Sequence, residues 1–187
     1  MEDIWQRIDT WLETHAPQVF QTLQPGASEA QILAAETALG VQFPEDVRRS
    51  YGLHNGQQDY TYGLCEGREF LSLERIQQEW QVWKSLLDGG DFEGSSGDSE
   101  AGIRSDWWNP QWIPLTYDGA GNHDCLDLDP AEGGSRGQII AFWHDASDRT
   151  LVAPSFRTWW ERYAEDLEAG LLVFSEEYGG IVSLEDL

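Results

Sequence analysis

The chain has 187 residues, with 34 Asp and Glu against 11 Lys and Arg and a formal net charge of −23. That length suits one domain with a core large enough to need no staples. A field of this sign repels nucleic acid and anionic membranes, whose binding draws on lysine and arginine, and no stretch is apolar for long enough to span a bilayer. Cys65 and Cys125 stand far apart in no paired motif. With an acidic N-terminus that has neither the basic start nor the apolar run of a signal peptide, they point to a reduced, cytoplasmic protein.

Ile4, Trp5, Ile8, Trp11 and Leu12 recur at helical spacing and predict an amphipathic helix that Pro17 bends or ends. Ser28 with Gln31 predicts a capping box for "EAQILAAETAL", and Gly40 its left-handed stop. Pro44 is expected at the first position of the next helix, with Asn55-Gly56 beyond its end. Tyr60, Tyr62 and Leu64 then alternate as in a strand, and "EFLSL" reads as a second short one. Ser72 is the expected cap of a helix reaching Leu87, with Ile76, Trp80, Trp83 and Leu87 along one face.

The stretch "DGGDFEGSSGDSEAG" is rich in Gly, Ser and acid and reads as a mobile insertion, at about 88–103, within a single domain. Four strand candidates follow at 112–116, 123–128, 138–143 and 149–153, and their short connections predict antiparallel neighbours. Pro154-Ser155 launches a last helix, with Trp159, Trp160, Tyr163 and Leu167 as its inner stripe, and "LLVFSEEYGG" supplies an edge strand. Helices, a meander and a helix make the fold class α+β, with a central, mostly antiparallel sheet.

Residues 112–130, "WIPLTYDGAGNHDCLDLDP", are dense in potential ligands. Asp118, Asn122, Asp124, Asp127 and Asp129 are hard oxygen donors, but their order does not match a calcium loop. Strand alternation also sends His123, Cys125, Asp127 and Asp129 to one side and Asp124, Leu126 and Leu128 to the other. One cation cannot gather both sets, so "DGAGN" is read as a turn, Leu126 and Leu128 as a buried face, and no metal or cofactor is expected. His15, His54, His123 and His144 occur singly. No nucleophile elbow, Walker lysine or zincin motif is present, and neither cysteine has a neighbouring base. These observations point away from an enzyme.

"LGVQFPEDVRRSYGLHNGQ" and the long run from "WWNPQWIPLTYDGAGNHDCLDLDP" to "RTWWERYAEDLEAG" resemble the SMI1/KNR4 (cell-wall assembly regulator-like) proteins of the SUKH superfamily. The likeness spans about residues 1–87 and 107–175 and rests on the order and spacing of many turns and aromatics. It implies an α+β fold and a non-enzymatic binding protein. Bacterial members are associated with immunity to polymorphic toxins, often nucleases, and fungal members act as regulatory scaffolds in cell-wall synthesis and signalling.

A chain of little more than one domain favours the immunity role, with the scaffold as the alternative. A nuclease toxin is basic where it holds phosphate, so an acidic inhibitor is steered to it. The expected partner is therefore a basic protein, a toxin domain. The expected contacts are Asp88, Asp91, Glu93, Asp98 and Glu100 of the insertion, Asp118, Asn122 and Asp124 of the turn, and Trp107 and Trp108 as aromatic anchors. At least one of those tryptophans is expected to pack under the sheet instead.

Overall fold

Ile4, Trp5, Ile8 and Leu12 are the buried face of the first helix, α1 (Glu2–His15), as their spacing demands. The computed structural model describes residues 1–58 and 61–187; Tyr60, expected in a strand, lies outside them. Pro17 opens a single further turn, α2 (Pro17–Phe20). Strand β1 (Leu23–Pro25) pairs antiparallel with β2 (His54–Gln57), which follows α3 (Glu29–Leu39) and α4 (Glu45–Tyr51). The capping box of α3 is complete: Ser28 Oγ accepts from Gln31 N, and Gln31 Oε1 accepts from Ser28 N at 2.9 Å. Gly40 ends the helix at φ 69°. Pro44 is the N-cap of α4, one position before the expected N1, because its ψ of 154° is still extended.

Gln57, 1% exposed, ties this N-terminal half to the rest. Its Oε1 accepts from Leu64 N and Phe70 N at 3.0 Å each, and its Nε2 donates to Thr22 Oγ1 at 2.7 Å and Tyr62 O at 3.0 Å. All four bonding positions of the buried amide are thus filled. Short β3 (Glu69–Phe70) pairs with β6 (Thr116–Tyr117), and α5 (Leu73–Gly89) starts at Ser72, whose Oγ accepts from Arg75 N.

The central sheet holds β4 (Asp98–Ser99), β5 (Trp112–Pro114), β7 (His123–Asp127), β8 (Gln138–Phe142) and β9 (Asp148–Ala153), in the order β4-β9-β8-β7-β5. Its pairs are antiparallel except β4 with β9, so the α+β reading with a mostly antiparallel sheet holds. Helix α5 covers one face, where Trp83 meets Phe142 edge-on at 4.7 Å. Helix α6 (Phe156–Ala169) covers the other, and its Trp160 reaches Trp5 of α1 at 4.6 Å between ring centres. The last hairpin, β10 (Leu172–Ser175) with β11 (Gly180–Ser183), forms its own two-stranded sheet rather than an edge of the central one.

Two expectations are corrected here. The segment 88–103 is built into the fold: its start completes α5, its middle is β4, and Ile103 is 4% exposed in the core. Strand β7 has no solvent face: His123, under Trp83 of α5, Cys125 and Asp127, bonded by Gln138, are buried on one side and Leu126 is buried on the other.

Candidate partner-binding surface

The residues expected to meet a partner fall into three groups. Asp88, Asp91, Glu93, Asp98 and Glu100 all lie at the surface. Asp88 pairs with Lys84 one helical turn before it, at 2.6 Å. Asp98 and Glu100 hold the segment in place: Asp98 N donates to Ser147 O at 2.8 Å, and the Glu100 carboxylate accepts from Leu151 N at 2.9 Å. The sheet edge at β9 is thereby covered by charged backbone-paired chain, a usual defence against strand addition. Asp91 and Glu93 remain exposed acids with no cation against them among the described residues.

A second group serves the turn before β7. Asp118 Oδ1 accepts from the backbone NH of Ala120, Gly121 and Asn122 at 2.8, 3.1 and 3.0 Å. Burial pushes its carboxyl up, but these donors and the Asn122 amide outweigh that, and its pKa lies below the usual aspartate value. Asn122 is buried, and its Oδ1 accepts from His144 N at 2.9 Å.

Asp124 turns inward to Arg68 (3.2 Å) and accepts from Thr116 Oγ1 (3.1 Å). Burial raises its pKa, and the neighbouring Arg68 only partly offsets the rise. Asn122 and Asp124 therefore leave the outward surface that the sequence assigned them, because each satisfies a polar group of the fold.

The tryptophans form the third group. Trp108 is 4% exposed and packs against Trp80, so it is a core residue. Trp107 is half-buried and closes a stack that crosses the sheet. The Arg149 guanidinium lies 5.4 Å from the Trp107 ring and 4.4 Å from Phe142. Phe142 stacks on His123 at 6.2 Å, His123 on Tyr117 at 5.5 Å, and Arg75 lies 5.5 Å over Tyr117. Trp107 also accepts a hydrogen bond from Arg149 Nη2 through its carbonyl, at 2.7 Å.

His123 is closed to acid–base work. The Trp83 indole NH can only donate, so His123 Nε2 is the acceptor (3.3 Å) and Nδ1 carries the proton given to Thr116 O (2.7 Å). Burial lowers its pKa to about 4, although the Thr116 carbonyl works in the other direction. Among the described residues no group of three His, Cys, Asp or Glu is placed to hold a metal ion.

One surface has no counterpart in the sequence reading. The end of α6 and the last hairpin enclose a groove of about 360 Å³, lined by Leu171, Leu172 and Leu184 and by the acids Glu66, Asp166 and Glu185. Glu66 also edges a smaller, deeper cavity of about 180 Å³ that reaches Arg68, Asp124 and Trp159. Glu66 is the i+1 residue of a tight turn closed by Cys65 and Arg68, with φ 50° there and 75° at Gly67. These residues come from four separate stretches of chain, and only the doubled leucine after Gly170 signals them locally.

The SMI1 / KNR4 family (SUKH-1) profile matches residues 26–162, and the chain belongs to that family. It is 29% identical over 202 aligned positions to "Cell wall assembly regulator SMI1" of Saccharomyces cerevisiae, covering 89% of this chain and 40% of that protein. It is 28% identical to "Cell wall biosynthesis/cell cycle regulator smi1" of Schizosaccharomyces pombe, covering 95% of this chain and 38% of the relative. A more distant relative is "F-box only protein 3" of Bos taurus, 25% identical across 89% of this chain and 34% of its own length. The chain thus spans about two fifths of the first two relatives.

Proposed function

We propose that this chain is a regulatory protein-binding module that acts in the cytoplasm by recruiting partners, without chemistry of its own. The observation that carries this reading is the modular match. Nearly the whole chain aligns within much longer proteins that are named as regulators of cell-wall assembly and of the cell cycle. The same span also aligns with part of an F-box protein. A domain reused in such different settings is expected to contribute binding rather than one reaction. The neutral, tied-off His123 and the buried thiols of Cys65 and Cys125 favour the same reading.

This replaces toxin immunity as the leading reading, since the relatives carry regulatory names. Immunity keeps one observation in its favour: a net charge of −23 steers a basic partner toward the chain at low ionic strength.

Affinity capture from native lysate tests both, at low salt and at about threefold physiological ionic strength, where the Debye length shrinks to roughly half. Recovery of several enzymes of envelope synthesis or signalling at both salts supports the module. A single basic toxin-like protein, lost at high salt and weakened when Asp91 and Glu93 are neutralised, supports immunity instead. Recovery of nothing beyond the control resin overturns both.

A further inference from the structure

We infer that the groove between the end of α6 and the β10–β11 hairpin docks an extended partner segment in which a leucine-sized apolar side chain adjoins lysine or arginine. The inference rests on the reading of the chain as a protein-binding module and gives that module a contact surface and a partner chemistry.

Two leucines in the lining of the groove stand first. Leu171 is 54% exposed and Leu184 is 53% exposed, and they are neighbours, because Leu184 N donates to Leu171 O at 2.8 Å. Single exposed leucines are ordinary on protein surfaces. Two side by side in the lining of one concavity form a patch, and patches with polar rims mark binding surfaces. The geometry that creates the patch is local. Gly170 ends α6 in the left-handed conformation, and Leu171 N then donates back to Asp166 O at 2.9 Å, which turns the chain across the helix end.

The rim selects the occupant. Glu66, Asp166 and Glu185 line the groove, and among the described residues no basic one does. Burial raises the Glu66 carboxyl, Asp124 raises it further, Arg68 partly offsets this, and the charges of Asp186 and Asp166 add to the rise. A cation entering the rim relieves that repulsion, which an apolar or acidic segment cannot do. A second copy of this chain would bring the same carboxylates against themselves, so self-association through this face is disfavoured.

The test uses a phage-displayed random peptide library selected on the full chain, followed by fluorescence polarisation of the best selected peptide. Enriched peptides are expected to place Lys or Arg beside Leu, Ile or Phe. Leu171→Ser with Leu184→Ser is expected to weaken the peptide by about tenfold or more, a loss of one good apolar anchor. Asp166→Asn with Glu185→Gln is expected to weaken it and flatten its salt dependence, while the control Glu13→Gln with Glu132→Gln, two exposed acids outside the groove, leaves it unchanged. These side chains are exposed or, for Asp166, half-buried, and melting temperatures equal to wild type confirm that the variants fold.

No enrichment, retention by the leucine variant, or an equal loss in the control overturns the groove. A cellular partner that binds the groove variants as well as wild type overturns the groove and leaves the module reading standing. Peptides bound in the groove with no cellular partner captured support the groove chemistry and count against the module.

Discussion

The Trp83 indole donates a 3.3 Å hydrogen bond to His123 Nε2 under α5 and so fixes that imidazole in its neutral form. Protonation would place a second hydrogen on Nε2 facing the indole NH, inside a buried site. The folded pKa is lowered from 6.5 to about 4, with burial as the main cause. Between those values the unfolded chain takes up a proton that the folded chain refuses, so this group removes stability as pH falls. The full loss is roughly 3 kcal/mol at about 1.4 kcal/mol per pH unit.

Asp124 and Asp127, whose pKa values burial raises, work in the opposite sense by holding protons in the folded state. The His123 contribution is therefore isolated by comparison with His123→Gln. The urea stability of wild type relative to this variant should decline steadily from pH 7 to 4.5. A difference that stays flat across that range would rule out the assignment.

Arg149 is a buried cation with no carboxylate against it among the described residues. It is fully buried, and its pKa is lowered to about 10 by burial, so it remains charged at neutral pH. Its guanidinium donates to Ala146 O, Asp148 O and Trp107 O at 2.8, 2.7 and 2.7 Å, while its flat faces meet Trp107 and Phe142. Lysine cannot reproduce this fork or the stacking, so Arg149→Lys is not a conservative change here. It should cost about 3 kcal/mol, as expected when charged hydrogen bonds to buried carbonyls are lost. The urea midpoint checks this, and a shift equivalent to under about 0.5 kcal/mol would mean that lysine finds the same partners.

What the sequence made legible is what local chemistry decides. The Ser28–Gln31 box, the Ser72 cap and the Gly40 stop set helix ends that depend on a few neighbouring atoms, and each stands as read. The strands around Trp112, His123, Gln138 and Arg149 were visible as short runs bounded by Gly- and Asp-rich turns. Alternation misled in β7, where it suggested one wet face. His123 and Asp127 are polar yet buried, because Trp83 and Gln138 reach them from elements that the local pattern does not reveal.

The 88–103 segment misled through its composition. Gly, Ser and acid there look solvated, yet β4 needs only backbone to pair with β9, and the apolar anchors Phe92 and Ile103 were the available signal. The groove was illegible for a related reason: Glu66, Asp166 and Leu184 meet only once the fold is complete.

That segment is pinned by the approach of two glycines. A side chain added at Gly134 would place its Cβ 2.1 Å from Gly102 O and 2.8 Å from Pro130 Cβ. Gly102 O already accepts from Ala131 N at 3.1 Å and Gln138 Nε2 at 3.0 Å, so it cannot retreat without breaking both bonds. Gly134→Ala should therefore destabilise by about 2 kcal/mol, in the range typical of overpacked sites. It should also speed amide exchange at Asp98 and Glu100, whose NH groups bind Ser147 O and Arg149 O. Unchanged protection at those two amides would show that the segment does not depend on the glycine contact.

The two thiols should separate local opening from global unfolding. Burial raises both Cys65 and Cys125 well above the ordinary thiol pKa, and nearby carboxylates such as Asp124 add to it, so neither is a ready nucleophile in the folded chain. Cys125 sits in β7 between β5 and β8 and is exposed only when the central sheet comes apart. Cys65 sits in the turn before β3, fastened to the last hairpin by Gly63 N to Gly179 O at 2.8 Å and Gly67 N to Ile181 O at 2.9 Å. Detaching a hairpin breaks fewer contacts than opening the sheet, and such partial openings lie lower in free energy. Labelling with a disulfide reagent in native buffer should therefore modify Cys65 faster than Cys125 by about tenfold or more, the ratio for a gap of about 1.4 kcal/mol. Rising urea should close the gap as global unfolding takes over. Equal rates in native buffer would mean that the hairpin and the central sheet open as one unit, and that the groove at their junction is as rigid as the core.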